Sequence, residues 1–475
     1  MKLRYVLRVV ILLSFLSFGF PFQSALENQN GQSTGPVYIV QPGDYLSDIA
    51  FRFGVTLDAL IQANGIADPD LVKPGDRLII PGLEGIDGVL VTESVPFGES
   101  LRSLSRKHNI PSNVLARLNR LSSPMELYAG STLVIPQQEN APTYEHGGGL
   151  LAGESLLEYA VVHGENLWNL MAFNNLSSAW EAMPGDVFLE PGTSAQEPGA
   201  LPVGIDSIGV NPIPFTQGKT AVIRIIAQDG TSLGGTFADR KLNFVKGKKN
   251  DYYALQGIHA MQDPGLYPLA IRGLLPDSSP FEFTQLVPVQ DGGYIYDLPL
   301  TVPVETIDPT VTKPEDALWA SLAAPVTEKR FWDGVFLMPS PLEKEYCLKT
   351  GGCWSSRFGS RRSYNGSPYQ YFHTGLDFYG GTGTQIFAPA AGRVVFSDLL
   401  TVRGLATMID HGWGVYSAYL HQSESMVKAG DFVEAGQVIG LVGGTGRVAG
   451  PHLHWEIIVN GVQVDPLDWL NSVYP

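Results

Sequence analysis

A chain of 475 residues is too long for one ordinary domain, and its 44% hydrophobic content supplies several packed cores rather than a disordered polymer. Its 47 acidic against 31 basic residues leave a formal charge of −16, which lacks the basic footprint of a nucleic-acid binder and serves general solubility.

At the N-terminus, Lys2, Arg4 and Arg8 precede an apolar run from Val9 to Phe22, broken only by Ser14, Ser17, Gly19 and Pro21. A basic start and a run of this length predict that residues 1–25 are a signal peptide or an N-terminal anchor of an exported protein. Phe22-Gln23-Ser24-Ala25 lacks small residues at both positions that cleavage requires, so membrane anchoring stays open beside secretion.

A polar linker, 27–36, leads into a repeating unit. In its first copy, 37–82, Val37-Tyr38-Ile39-Val40 reads as a strand, and Pro42-Gly43-Asp44 as a turn with Asp44 capping a helix. Leu46, Ile49, Ala50 and Phe53 follow at helical spacing. Thr56 caps a second helix, and Pro74-Gly75-Asp76 turns into a closing strand at 77–80. The second copy, 88–137, repeats the order: Gly98, then Leu101 and Leu104, then Ser112 capping Val114, Leu115 and Leu118, then Gly130. Gly43 to Gly75 and Gly98 to Gly130 are both 32 residues, evidence of an internal repeat. A third copy, 157–192, reads as degenerate. Gly164 to Gly185 is only 21 residues, about three helical turns fewer, which predicts a shortened or missing helix.

From 202 to 303 the pattern changes to short strands at 221–226, 265–271, 281–287 and 294–298, separated by Gly, Asp and Pro turns; this predicts an immunoglobulin-like β-sandwich with no chemistry of its own. Residues 304–345 form a connector. A helix is expected from Lys313 to Ala324, and an apolar stretch at 331–339 is suited to packing on the C-terminal domain; lid, linker and part of that last domain are all open. Cys347 and Cys353 are the only cysteines. In an exported chain they are expected to close a short disulfide loop, since C-x5-C without a second pair is a poor metal signature.

The chemistry gathers in the last domain, 346–475, which reads as mostly antiparallel β. Five of the nine histidines lie between positions 373 and 454. Neutral imidazoles with one carboxylate are the usual ligands of a catalytic zinc. His452 and His454 are two apart, so on a strand they share a face. His373 and Asp377 are four apart, about 13 Å on a straight strand. Sharing one ion therefore requires a bend, which Gly375 permits. His411 reads as an unrelated structural residue. The stretch around Lys428 has a flavour of biotinyl and lipoyl carriers, but the lysine stands in the wrong context for a hairpin tip.

His373-x-x-x-Asp377, His421 and the final His452-x-His454 resemble the lysostaphin-type zinc metallopeptidases of family M23, which cut peptidoglycan peptides. The resemblance implies one Zn2+ per chain on His373, Asp377 and His454, with His421 and His452 as catalytic non-ligands. Spacing alone does not choose between His452 and His454 as ligand; that choice rests on the family. The repeats resemble LysM modules, βααβ domains that bind N-acetylglucosamine-containing glycans. This implies a glycan groove at Gly43, Asp44, Tyr45, Lys73 and Gly75. The expectation is a multidomain α+β and all-β protein, located in the cell envelope or secreted. Its partner is peptidoglycan, through glycan and stem peptides, and not nucleic acid. The alternative is a non-catalytic activator or structural wall-binding protein, which the intact metal set disfavours.

Overall fold

The computed structural model describes residues 35–83, 85–123, 126–137, 144–192, 199–202 and 204–475. The predicted signal or anchor lies outside them, and no helix among the described residues is long and apolar enough to cross a membrane. The described residues fall into two compact units: those up to Val91 with Pro136 and Gln137, and those of 92–135 together with those from Tyr144 to Pro475.

In the first unit, strands Val37–Ile39 and Arg77–Ile79 pair antiparallel, and helices α1 (Leu46–Phe53) and α2 (Leu57–Asn64) lie between them in the chain. Leu46, Ile49, Ala50 and Phe53 recur at three- and four-residue intervals, so one face of α1 is apolar and buried. Thr56 Oγ1 accepts the Ala59 N–H and caps α2. Asp44 is not the expected cap of α1; Tyr45 holds that position without a side-chain bond. The Asp44 carboxylate closes the preceding turn instead, accepting from the Gln41 amide at 2.8 Å and the Tyr38 hydroxyl at 2.6 Å. Short carboxylates compete for local backbone donors in this way.

The second unit opens with the second repeat, α3 (Leu101–Lys107) and α4 (Ser112–Leu118). Ser112 is the first helical residue rather than the cap; Pro111 precedes it as N-cap. The third repeat overturns the expectation of a lost helix. Its strands Tyr144–Gly149 and Val187–Pro191 pair antiparallel, and both helices, α5 (Leu156–His163) and α6 (Leu167–Phe173), are present. Gly164 is the left-handed C-cap of α5, not the turn before it. The turn glycine is Gly153, φ +87°, and Gly153 to Gly185 again spans 32 residues.

One side chain makes the equivalence physical. Asn64, Asn119 and Asn174 each end a second helix, 55 residues apart. Each donates Nδ2–H to the carbonyl four residues back and to a closing-strand carbonyl (Ile79, Val134, Leu189), and each Oδ1 accepts that strand residue's N–H. Repeats two and three also pack on each other: Arg102 and Arg106 of α3 converge on Asp186.

Residues 205–290 form the sandwich, a five-stranded and a four-stranded sheet enclosing a core that includes Phe215, Ile223, Phe237, Ile271 and Val287. The segment 294–298 is not one of its strands. It leaves the sandwich and lies along the last domain, where the amides of Asp297 and Leu300 donate to the carbonyls of Arg361 and Ser363, 2.9 Å each. Its alternating aromatics mimic a strand, but its backbone partners belong to another domain. The sandwich docks on that domain through Lys219, which pairs with Asp465 at 2.9 Å and Asp468 at 2.8 Å, and through Thr220, whose hydroxyl accepts from Trp469 Nε1.

The connector is part of the last domain. Helix α7 (Pro309–Leu322) starts four residues earlier than expected, capped by Asp308, whose carboxylate accepts the Thr310 amide. Its Trp319 is buried among Ala406, Met408, Tyr416 and Ile458, and Trp332 and Phe336 enter the main core beside Trp469 and Trp455. Removing either indole would forfeit about 3–5 kcal/mol of packing. After α8 (Lys344–Thr350), in which Cys347 forms a disulfide with Cys353, the chain builds a largely antiparallel sheet, and α9 (Pro466–Asn471) closes the core. His411 is fully buried, with its ring nitrogens on the Ala391 carbonyl and the Ser417 hydroxyl.

Candidate active site

Three neighbouring strands carry the site. Leu376–Tyr379, His452–Val459 and Val415–Ser425 lie side by side, with Asp377 opposite His454 and His454 opposite Leu420. His373 stands before the first strand, beyond the strand pair Arg361–Arg362 and Tyr371–Phe372. The break at His373–Gly375 shortens the distance that a straight strand would impose. Gly375 serves close approach: a Cβ there would lie 2.4 Å from the Trp455 carbonyl and 2.8 Å from His454 Nε2. His421 reaches the site by a local distortion. The register slips between Leu405 and Thr407, leaving an extra residue on the opposing strand, and His421 adopts φ +64°. A bulge with a left-handed residue re-aims a side chain that a regular strand would direct elsewhere.

His373, Asp377 and His454 are buried and offer ligand atoms within 4.8 Å of one another. His373 Nε2 lies 3.0 Å from Asp377 Oδ1 and 3.0 Å from His454 Nδ1, and the latter pair is 2.8 Å apart. Three donors on a tetrahedral zinc, with bonds of about 2.0 Å, stand about 3.3 Å from each other, so this triangle needs only slight expansion. The opposite atoms are all engaged. His373 Nδ1–H donates to the Arg357 carbonyl at 2.8 Å, His454 Nε2–H to Glu456 Oε1 at 3.2 Å, and Asp377 Oδ2 faces Arg362 at 3.8 Å. Such backing fixes ring tautomer and orientation. His421 and His452 repeat the device from outside the triangle: their Nδ1 atoms bond the carbonyls of Thr445 and Gly450, 2.8 Å each, leaving both Nε2 lone pairs available. His452 Nε2 is 3.6 Å from Asp377 Oδ1.

The electrostatics suit a cation. Burial opposes a charge on His454, but the carboxylates of Asp377 and Glu456 outweigh it and raise its pKa to about 9. Burial would raise Asp377, yet His373 and His454 hold it well below the carboxylate range. Burial would raise Glu456 too; His454 and Arg403 bring it down to about 2. His421 is the opposite case. Burial, reinforced by His454 and His452, lowers it to about 3, so it is neutral at physiological pH.

The site lines a groove of about 1230 Å³, whose walls include Leu298, Leu300, Tyr371, Tyr379, Arg362 and Arg447. This exceeds the usual small-molecule pocket and admits a polymer segment. In the first unit, the predicted glycan turns are adjacent, with the Gly75 amide donating to the Val40 carbonyl at 2.9 Å. Tyr45 is 71% exposed and Lys73 is exposed, whereas the Asp44 carboxylate is taken up by Tyr38, Gln41 and Arg52.

Sequence reasoning assigned no role to Glu456, although the signal was present. His452, His454 and Glu456 alternate, so all three share a strand face. Glu456 is 1% exposed and accepts from Thr374 Oγ1 at 2.5 Å and from Trp319 Nε1 at 3.1 Å, besides His454. The contact with Trp319, 137 residues away, had no local signature.

Residues 371–466 match Peptidase family M23, and residues 38–81 and 94–136 match the LysM domain. Peptidoglycan DD-endopeptidase ShyC of Vibrio cholerae is 40% identical over 112 residues, 24% of this chain and 26% of that protein. DD-carboxypeptidase/endopeptidase Mpg of Neisseria meningitidis serogroup B is 43% identical over 95 residues, 20% of this chain and 22% of that protein. The matched part thus spans about a quarter of these relatives. Among solved structures, a putative M23 peptidase from Pseudomonas aeruginosa covers 55% of this chain and 95% of its own at 25% identity, with a TM-score of 0.40.

Proposed function

We propose that this chain, in which residues 371–466 form a family M23 peptidase domain behind two LysM domains, is an exported zinc-dependent endopeptidase that hydrolyses peptide cross-links or stem peptides of peptidoglycan. The observation that carries this reading is the converging triangle of His373, Asp377 and His454 with two outward-backed histidines beside it. His373 Nε2, Asp377 Oδ1 and His454 Nδ1 would hold the zinc. When bound there, zinc would supply Lewis acidity, which polarises a carbonyl and lowers the pKa of water from about 16 toward 7.

The chain's own groups do the rest. The Nε2 atoms of His421 and His452 take the proton of the attacking water and return it to the departing amine as the C–N bond breaks. While it carries that proton, and before the amine receives it, the imidazolium stabilises the oxyanion. The LysM domains hold the enzyme on glycan and raise the local concentration of its substrate without adding contacts at the scissile bond. Tyr45 and Lys73 are the side chains best placed to touch that glycan.

The direct test is release of soluble peptides from purified peptidoglycan, measured with zinc content before and after chelation. One zinc per chain, with release that stops on chelation and returns on adding zinc, is expected. No zinc together with no release would sink the reading. Glu456 adds a finer expectation. Glu456→Gln keeps an acceptor but removes the charge behind His454, and should weaken zinc affinity about 10–100-fold in a competition with a chromogenic chelator. Unchanged affinity would remove Glu456 from the metal site.

A further inference from the structure

Three arginines line the groove, and they differ in what neutralises them. Arg403 pairs with Glu315 at 2.9 Å and Asp316 at 2.8 Å. Arg362 faces Asp297 at 3.5 Å and Asp377 at 3.8 Å. Arg447 has no carboxylate partner among the described residues. Its guanidinium lies over the Tyr364 ring, 4.5 Å from the centroid, and one amino group donates to the Thr306 carbonyl at 3.0 Å. An arginine carries five N–H donors, so most of this fork remains unengaged by those contacts. In a chain of net charge −16, a cation left without a carboxylate on a groove wall calls for an anionic visitor.

Position on the chain ties it to the chemistry. Arg447 sits on the loop joining strands Val438–Val442 and His452–Val459. That loop supplies both carbonyls that orient the histidines outside the metal triangle, Thr445 to His421 and Gly450 to His452. The Arg447 Cα is three residues from Gly450 and cannot lie more than about 11 Å from it. The loop is also pinned where the arginine leaves it, with the Arg447 amide donating to the Val402 carbonyl at 2.8 Å. The result is a fork held by an aromatic ring on the wall of the groove that His373, Asp377 and His454 also line.

We propose that Arg447 is a specificity-determining residue that binds a free carboxylate of the stem peptide beside the scissile bond. This rests on the endopeptidase reading above and deepens it: the groove selects acidic peptides over their amidated forms. A planar fork meets a carboxylate with paired hydrogen bonds, which an amide cannot reproduce. The carboxylate belongs either to a side chain or to a free peptide C-terminus.

The test uses the full chain and cross-linked stem-peptide dimers carrying each carboxylate as the acid or as the amide, one at a time. Wild type is expected to show KM lower by about tenfold or more for the acid at one of the two positions, with kcat changed less. The position whose amidation raises KM identifies the source. Arg447→Ala should collapse the acid-to-amide ratio toward one, and Arg447→Lys should keep part of it through its remaining charge. Equal losses on acid and amide in Arg447→Ala would show a mere loop tether and overturn the proposal. So would a wild type indifferent to amidation at both positions while still cleaving. Absence of cleavage by wild type on every dimer and on peptidoglycan would overturn the endopeptidase reading itself, and this proposal with it.

Discussion

Replacing His454 by alanine is expected to abolish zinc binding and peptidoglycan hydrolysis together. Residues that merely stand behind a ligand account for about 10–100-fold in metal affinity, so loss of a ligand should exceed that range. The substitution also withdraws the imidazole that bridges two buried carboxylates, Asp377 at 2.8 Å and Glu456 at 3.2 Å. Both carboxylates keep other partners, but each loses a buried charged hydrogen bond of about 1.5–3 kcal/mol, so the melting temperature should fall as well. Circular dichroism at a temperature well below the new transition separates loss of the site from loss of the fold. A folded His454→Ala protein that still holds one zinc and still releases peptides would remove His454 from the ligand set.

Replacing His421 is expected to produce a different failure: activity lost by about 10²–10⁴-fold with zinc retained. Asparagine is the informative substitute, because position 421 has φ +64° and asparagine tolerates the left-handed region better than alanine does. Its ring lies 5.2 Å from that of His452 and 5.9 Å from that of His454, near the triangle but not part of it. Zinc content by mass spectrometry under native conditions and peptide release by chromatography read the two properties separately. Parallel loss of zinc would place His421 among the ligands instead.

These two residues also show how far a linear reading reaches. Both are named by motif, yet only the folded chain accounts for the difference in their behaviour. His454 is raised to about 9 by carboxylates that flank it on both sides, whereas His421 is lowered to about 3 by burial and by imidazole neighbours. Glu456 is two residues from His454 on the same strand, but Asp377, 77 residues away, and the pairing of His421 with His452 and His454 come from separate strands, so no local pattern sets the full environment of either histidine. The third repeat illustrates another limit. Gly164 aligns as a turn because it ends an apolar run, but glycine serves equally as a helix C-cap and as a turn residue. The asparagine at the end of each second helix settles the alignment, and its meaning is visible only as a bridge to the closing strand.

By itself, the sequence determined the candidate donors, the strand-face pairing of His452 and His454, the first two repeats, and the need for a bend if His373 and Asp377 are to share an ion. Those features come from side-chain chemistry and from periods of two and 3.6 residues, which are local. Only the tertiary structure decided that the nitrogens of His373 and His454 facing the site are Nε2 and Nδ1, and that Glu456 and Trp319 stand behind the latter. It also decided that the connector is core rather than linker, and that residues 294–303 wall the groove instead of extending the sandwich. The physical reason is common to all of these. Hydrogen-bond partners for buried polar atoms, and apolar partners for Trp319, Trp332 and Phe336, come from segments far apart in the chain, so they exist only once those segments have packed together.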